Sequence, residues 1–220
     1  MTNPVSYEAD NGIATITMDD GKANALSLSM SEGINAALDQ AATEAQVVVL
    51  RGRPGVLCGG FDLKLIRGDD HVAREAMRSA GMALLNRLFM LPQPLVIACT
   101  GHSVAAGGLI LLTGDKRVGT AGDFKIGLNE VAIGRSMPVA GVELARARLT
   151  SDALTEALLL SELYTPDAAA SVGYLDKVVS PDKFVSEVTA IATSLLALDN
   201  AAFAQTKQNL RLPIIDRMSA

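Results

Sequence analysis

The chain has 220 residues, a formal net charge of −5 and a hydrophobic fraction of 49%, which is enough to bury the core of one domain. The acidic balance and the lack of any Lys/Arg block exclude a surface that follows nucleic-acid phosphates. No apolar run reaches the 18 residues of a membrane span, and residues 1–4 do not begin a signal or transit peptide. We therefore expect a cytoplasmic protein with no membrane partner.

Strands and helices alternate in the first part of the chain. Residues 13–18 alternate with a period of two and run into a turn, which predicts a strand. The capping-box spacing from Ser29 to Glu32 predicts the start of an amphipathic helix. Residues 47–50 form a short apolar run that predicts a buried strand.

A second long helix is predicted by apolar residues at helical spacing from Ala73 to Leu88, ending before Pro92, and residues 95–99 predict the next strand. Parallel strands need long crossover connections, so this alternation indicates a mostly parallel sheet with crossover helices. The predicted fold class is α/β.

From Pro138 onward the pattern predicts helices alone, and Thr165, Pro166 and Gly173 supply an N-cap, an N1 proline and a C-terminal stop for one of them. The four predicted helices cover residues 139–149, 151–160, 165–173 and 184–198. We therefore divide the chain into a core at residues 1–140 and a helical C-terminal region at residues 141–220.

Two segments rich in small residues follow predicted strands. Residues 101–108 separate the strand at 95–99 from an apolar helix, and residues 58–62 make a similar transition after residues 47–50. Backbone N–H groups at such a helix start can approach a ligand oxygen, and two loops together could supply two donors to one oxygen. The alternative is close packing of helix on strand, which needs no ligand.

Other functions of glycine-rich loops fail on spacing or on missing partners. Neither segment has the GxGxxG or GxxxxGK[ST] pattern of phosphate-binding loops. Ser103 stands in a sequence close to GxSxG, but the chain has two histidines, of which His102 is expected to point away from Ser103 and His71 to be solvated. Two histidines without carboxylates at ligand spacing predict no metal site. Cys58 and Cys99 are predicted to be small buried residues.

Glu130 is the carboxylate that stands out. It lies in an otherwise uncharged segment between Gly127 and Gly134, where a solvated acid would more often have polar neighbours. Partial burial would raise its pKa and allow proton transfer near neutral pH. The alternatives are a cap on the next turn or an ion pair with Arg135.

Several segments resemble, in order and spacing, the signature segments of the crotonase (enoyl-CoA hydratase/isomerase) superfamily, over about residues 5 to 210. They are residues 58–64, residues 101–108 with Asp115, and residues 127–130, with further landmarks at residues 24–26 and 172–179. The resemblance implies a ββα spiral core, a helical C-terminal region used for trimerisation, and an acyl-CoA thioester as substrate. Coenzyme A is then part of the substrate, and no separate cofactor is expected.

The resemblance also implies roles for individual residues. The N–H groups of Phe61 and Ala106 match the two donors that hold the thioester oxygen as an enolate develops, and Glu130 matches a catalytic acid/base. Hydratases of the superfamily use a second glutamate, whose position is occupied here by Leu109. Leucine cannot transfer a proton, and loss of a general acid/base costs about 10²- to 10⁴-fold in rate.

The expected reaction is therefore the isomerisation of 3-enoyl-CoA to 2-enoyl-CoA with one glutamate. The alternatives are an enoyl-CoA hydratase in which another group replaces the missing glutamate, and an acyl-CoA-binding protein without catalysis. The expected assembly is a homotrimer or hexamer. Leu109 is also expected to contact the substrate. The other expected substrate-binding residues are Gly60, Asp62 and Gly107, together with Lys22 and Lys64 as candidates for the phosphates of coenzyme A.

Overall fold

The computed structural model describes residues 3–218. Met1, Thr2, Ser219 and Ala220 lie outside the described residues, and with them part of the prediction drawn from residues 1–4. The strands found between residues 3 and 218 are, in chain order, β1 (Val5–Asp10), β2 (Ile13–Met18), β3 (Val47–Arg51), β4 (Gly55–Cys58), β5 (Leu95–Cys99), β6 (Gly101–Val104), β7 (Lys116–Thr120), β8 (Ile126–Gly127) and β9 (Lys177–Val179).

The helices lie between and after these strands. In the same part of the chain they are α1 (Leu28–Glu44), α2 (Leu63–Arg67), α3 (His71–Phe89), α4 (Ala106–Thr113), α5 (Val139–Arg148), α6 (Leu154–Leu158), α7 (Pro166–Val172), α8 (Pro181–Leu195) and α9 (Asn200–Met218), with 3-10 turns at Val131–Ile133 and Ser151–Ala153. None of the helices within residues 3–218 is both long enough and apolar enough to cross a bilayer.

The strands form two sheets. Six strands lie in the order β1-β2-β3-β5-β7-β9, and three form a small sheet in the order β4-β6-β8. β1 and β2 are an antiparallel hairpin that turns through Asn11 and Gly12, both at positive φ, as expected for a tight hairpin turn. The other pairs in both sheets are parallel. The α/β fold class is therefore confirmed.

A repeat of two strands and a helix builds the core. β3, β5 and β7 each add a strand to the large sheet, the next strand of the chain joins the small sheet, and a helix follows. The units are β3-β4-α2-α3, β5-β6-α4 and β7-β8-α5. This arrangement confirms the predicted ββα spiral.

Both faces of the large sheet are covered, which explains its continuous apolar strands. In β3, Val48 and Leu50 join the main core beneath α1, α3 and α4. Val47 and Val49 face the opposite way and pack in a second cluster with Phe184 and other residues of α8. Side chains of β3 therefore alternate between the two faces of the sheet, and those on both faces are buried.

Two predicted element boundaries are wrong. The N-cap of α1 is Ser27, two residues before the predicted cap Ser29, and the Ser27 hydroxyl accepts the bond from the Met30 N–H at 3.1 Å. Residues 101–108 are not one loop: β6 occupies the first half and α4 begins at Ala106.

The prediction of helices alone after Pro138 is also wrong. Residues Lys177–Val179 form β9, which pairs in parallel with β7 at the edge of the large sheet. The strand has three residues, which is too few to show a period of two. The preceding residue, Asp176, holds it in place: its carboxylate accepts from the Arg117 backbone N–H at 2.7 Å and from the Arg117 guanidinium at 2.6 Å. The division of the chain at residue 140 stays a prediction.

A buried charge cluster holds α9 on the core. The Asp115 carboxylate pairs with Lys207 at 2.6 Å and with Arg211 at 2.8 Å, and it also accepts from the Leu95 N–H at 2.7 Å. The Arg211 guanidinium lies over the Phe89 ring, 4.3 Å from its centroid. Because both cations are at most 5% exposed, Asp115 is required to compensate them.

We expect Asp115→Asn to lower the free energy of unfolding by about 3–5 kcal/mol, because the substitution leaves two buried cations without their carboxylate. Urea denaturation of the purified variant measures this. The matched control is Asp39→Asn, which breaks the ion pair between Asp39 and Arg87. The Asp39 side chain is 73% exposed, so this loss should cost less than about 1 kcal/mol. Equal small losses in the two variants would contradict the assigned role of Asp115.

Candidate active site

Two strand-to-helix transitions meet at the end of the small sheet. β4 ends at Cys58 and is followed by Gly59, Gly60 and Phe61, while β6 ends at Val104 before α4 begins. A Cβ atom built on Gly60 would lie 3.1 Å from the Cβ of Ala105 and 3.9 Å from the backbone nitrogen of Ala106. The two segments predicted to act together are thus in direct contact.

Packing accounts for the two glycines in the first turn of α4. A Cβ on Gly107 would overlap the carbonyl oxygen of Cys58 in β4, and one on Gly108 would lie 2.7 Å from the carbonyl oxygen of Gly127 in β8. Both residues are buried. For these two positions the alternative of close helix-to-strand packing is correct, and a role of Gly107 in substrate binding stays a prediction.

Within residues 3–218, two backbone N–H groups at the meeting point take no part in the hydrogen bonds of the adjoining helix and bridge. Ala106 is the first residue of α4, so its N–H has no acceptor inside the helix. The preceding residue, Ala105, turns the chain with a φ of 54°, which is strained for a residue with a Cβ. On the other segment, the parallel bridge between Leu26 and Phe61 uses the Leu26 N–H and the Gly60 carbonyl, 2.8 Å apart, and not the Phe61 N–H.

A cavity of about 290 Å³ has Phe61, from the first of these segments, and Leu109, from α4, in its wall. Its wall combines Phe61, Leu109 and Glu130, which the sequence analysis assigned to the site, with residues that it did not assign to the site. The lining residues are Phe61, Ile66, Arg78, Met82, Leu109, Glu130, Gly134, Arg135, Ser136 and Pro138. Residues far apart in sequence therefore form one site, and Leu109, at 2% exposure, lies in its wall.

The Phe61 ring packs on α3. A Cβ on Gly81 would overlap ring atom Cε1 of Phe61 and lie 3.2 Å from Leu26. Glycine at position 81 therefore lets the ring approach the backbone of the helix, and Phe61 forms part of the cavity wall. No local pattern indicates this contact, since the two residues belong to separate elements.

Glu130 stands at the start of the 3-10 turn Val131–Ile133 and is partly buried. Burial raises the pKa of its carboxyl group, against a smaller lowering by the backbone N–H groups of Glu130 and Asn129. Within residues 3–218, its buried oxygen Oε2 has no hydrogen-bond partner. The predicted partial burial and raised pKa agree with this structure.

Neither alternative for Glu130 is found among the contacts of the described residues. Its side chain makes no capping bond to the turn. The guanidinium of Arg135 donates instead to the carbonyl oxygen of Ile66 at 3.2 Å, and the Arg135 backbone N–H donates to the Glu130 carbonyl at 2.9 Å. Arg135 thus ties the turn after Glu130 to the end of α2.

The remaining predicted substrate-binding residues lie outside the cavity wall. Asp62 is the N-cap of α2 and accepts from the Lys64 N–H at 2.8 Å, so it has a structural role. Lys64 and Lys22 are exposed, and the Lys22 carbonyl accepts from the Arg53 guanidinium at 2.8 Å. Contacts of these lysines with a ligand stay predictions.

Ser103 and His102 point in opposite directions, as predicted. Ser103 is buried, whereas His102 is exposed and accepts from the Lys125 N–H at 3.0 Å. His71 is an exposed residue at the start of α3. In the part of the chain that the structure describes, no three metal-ligating side chains come together. Cys58 and Cys99 are buried free thiols.

Comparison with known proteins gives consistent matches over almost the whole chain. The family model for enoyl-CoA hydratase/isomerase matches residues 8–219. A crystal structure of an enoyl-CoA hydratase/isomerase family protein from Pseudomonas syringae is 40% identical, with a TM-score of 0.95 over 98% of this chain and 94% of that one.

Sequence relatives include both activities. The mitochondrial enoyl-CoA delta isomerase 1 of Rattus norvegicus is 27% identical over 97% of this chain and 75% of its own length. A probable enoyl-CoA hydratase of Rhodobacter capsulatus is 28% identical over 93% of this chain and 79% of its own length. Overall similarity therefore does not separate the two reactions.

We expect Glu130→Gln to stabilise the protein increasingly as the pH rises above the ordinary glutamate pKa of 4.5. A carboxyl whose pKa is raised by folding binds its proton more tightly in the folded state, so ionisation in this window works against folding. Glutamine does not ionise and avoids that loss. Urea denaturation of both proteins between about pH 4 and pH 8 measures the difference.

Glu75→Gln, which removes an exposed carboxylate from α3, controls for the change in net charge. The same pH-dependent gain in both variants would show that burial of Glu130 is not the cause.

Proposed function

Since the chain belongs to the enoyl-CoA hydratase/isomerase family, we propose that it converts 3-enoyl-CoA to 2-enoyl-CoA with Glu130 as the single general acid/base. The observation that carries this proposal is the pairing of one carboxylate, Glu130, with an apolar neighbour, Leu109, in a cavity wall that also contains Phe61, whose N–H is one of the two proposed donors. Isomerisation needs one group that takes up and returns a proton. Hydration also needs an activated water.

The N–H groups of Phe61 and Ala106 hold the thioester oxygen of the substrate in this proposal. The contact between Gly60 and Ala105 supports it, because it brings the two donors to one place. Fixed backbone dipoles require no reorganisation as charge develops on the oxygen, and each such donor contributes on the order of 3 kcal/mol in comparable sites.

Glu130 transfers the proton. Its carboxylate removes a proton from C2 of the 3-enoyl thioester, and the electron pair passes through the C2–C1 bond to the thioester oxygen, which gives a dienolate. The same carboxyl group then returns the proton to C4, and the double bond moves to C2–C3. A pKa raised by burial supports the first step, because it makes the carboxylate a stronger base than a solvated glutamate.

Coenzyme A lies outside the cavity in this proposal, with Lys22 and Lys64 as candidate partners of its phosphates. Both are exposed and lie on segments adjoining Asn24 and Phe61, respectively. A homotrimer or hexamer is the proposed assembly.

We expect Glu130→Gln to lower the rate of 3-enoyl-CoA isomerisation by about 10²- to 10⁴-fold, since glutamine keeps the shape but cannot carry the proton. The assay offers 3-enoyl-CoA and 2-enoyl-CoA in deuterated water, and mass spectrometry and NMR locate the label. The wild type should place deuterium at C2 or C4 without adding water. Calorimetry should show that the variant still binds the acyl-CoA.

Each other outcome points to a different function. A 3-hydroxyacyl product formed by the wild type would identify a hydratase. Tight binding without turnover of either substrate would identify an acyl-CoA-binding protein. Full isomerase activity in Glu130→Gln would refute the role of this residue.

A second prediction concerns Leu109. We expect Leu109→Glu to raise the rate of 2-enoyl-CoA hydration by about tenfold or more over Leu109→Gln, because only the glutamate supplies a second proton-transfer group to the cavity. The glutamine variant has nearly the same size and also places a polar group at this buried position, so it controls for lost packing. Equal hydration rates in the two variants, measured in samples with the same melting temperature, would count against the assigned importance of position 109.

A further inference from the structure

Gly81 is the point of α3 at which the Phe61 ring meets the helix. A Cβ atom at position 81 would overlap ring atom Cε1 of Phe61 and lie 2.9 Å from ring atom Cζ. Carbon atoms in contact are about 3.5–4.0 Å apart, so any side chain at this position would force the ring away from the helix. On the other side of the position, Cδ2 of Leu26 would be 3.2 Å away, which leaves the added atom no free space.

The ring occupies the cavity side of this turn of α3. Phe61 lines the cavity together with Arg78 and Met82, which belong to the same turn as Gly81. Gly81 itself is buried. The Phe61 ring therefore covers Gly81 where the helix would otherwise face the cavity, and a ring forced off the helix takes up cavity volume.

The cavity has an apolar wall beyond the groups that perform the proposed chemistry. In the proposed function, the thioester oxygen lies at the N–H groups of Phe61 and Ala106, and carbons C2 and C4 lie beside Glu130. An acyl chain that continues past C4 must follow the rest of the wall. Its apolar side chains there are Ile66, Met82, Pro138 and the ring of Phe61.

We infer that Gly81 is a specificity-determining residue: by letting the Phe61 ring lie close to α3, it keeps open the part of the cavity that takes the acyl chain beyond C4. This inference rests on the proposed function, which places the acyl chain in this cavity. The matching substrate class is an enoyl-CoA whose hydrocarbon chain extends past the reacting carbons, since apolar side chains line most of a pocket for such a ligand. The position of the ring then limits the length of chain that is accepted.

Gly81→Ala tests the inference by adding one carbon atom beneath the ring. We expect kcat/KM for 3-decenoyl-CoA, divided by that for 3-hexenoyl-CoA, to fall by about tenfold or more, because one methylene that a pocket does not accommodate costs about 10- to 200-fold. Alanine is a better helix former than glycine, so a weaker helix cannot explain the fall. Initial rates with each substrate well below its KM give the ratio.

Ser79→Ala is the matched control. Ser79 is an exposed residue of the same helix, and alanine improves its helix propensity as well without adding an atom beneath the ring. The chain-length ratio should stay at the wild-type value. An unchanged ratio in Gly81→Ala, or equal falls in the two variants, would overturn the inference.

Phe61→Leu shows whether the effect passes through the ring. This substitution keeps the backbone N–H and removes ring atoms Cε1 and Cζ, the two atoms that a Cβ at position 81 would meet. In the double variant, Gly81→Ala should no longer change the ratio measured for Phe61→Leu alone. A fall as large as in the wild-type background would overturn the inference.

If Gly81→Ala does not fold, Phe61→Leu alone gives the opposite test. The smaller side chain enlarges the cavity, so the ratio should rise in favour of 3-decenoyl-CoA. A ratio that stays or falls would overturn the inference.

Binding of saturated acyl-CoA separates this inference from the proposed function, because it needs no turnover. Calorimetry with hexanoyl-CoA and decanoyl-CoA should show that Gly81→Ala weakens the binding of the longer ester more than that of the shorter one. Such a change in a protein without isomerase activity would support the role of Gly81 while refuting the proposed function. Isomerase activity with unchanged chain-length ratios would refute the role of Gly81 alone.

Discussion

The candidate active site depends on one packing constraint, the close approach of the first turn of α4 to the backbones of β4 and β8. Gly107 and Gly108 face the carbonyl oxygens of Cys58 and Gly127, and neither position has room for a Cβ atom. A helix that begins so close to two strands brings its unpaired N–H groups beside the chain leaving β4. The close backbone packing thus brings the Phe61 and Ala106 N–H groups to the same end of the small sheet.

Burial and pairing have opposite effects on two acids of this chain. Burial raises the pKa of Glu130, which has no cationic partner among the described residues. Burial alone would also raise the pKa of Asp176, but the hydrogen bonds and charge of Arg117 outweigh it and leave that pKa lowered. The first environment suits proton transfer and the second suits structure. Asp176 therefore fixes β9 on the sheet, whereas Glu130 remains available for chemistry.

Local sequence patterns predicted those elements whose signals lie within the element itself. The strand at residues 95–99 is a continuous apolar run, and α7 carries its cap, its N1 proline and its C-terminal glycine in the sequence. The strands β6, β8 and β9 have two to four residues and depend on partners elsewhere in the chain. They are too short for an alternation of apolar and polar residues to predict them. Helix α1 shows the same limit, since Ser27 and Ser29 are both serines near the start of the helix, and the structure uses Ser27 as the cap.

The sequence likewise predicted individual residues of the site, but not the contacts between them. Glu130 stands out as a charge in an uncharged segment, and the resemblance to the family identified the Phe61 and Ala106 positions. The Phe61 contact with Gly81 and the Arg135 bond to Ile66 join residues of separate elements. Such contacts follow from the assembled fold and leave no trace in local spacing.

Leu109 connects packing with the choice of reaction. It is 2% exposed and belongs to the main core, yet it also lies in the cavity wall with Glu130. A second carboxylate here would be buried beside the first, and each would raise the pKa of the other. With leucine, desolvation is the leading cause of the raised pKa of Glu130. In the proposed mechanism the backbone stabilises the enolate oxygen whichever reaction follows, so the side chain at position 109 determines whether a second proton can be handled.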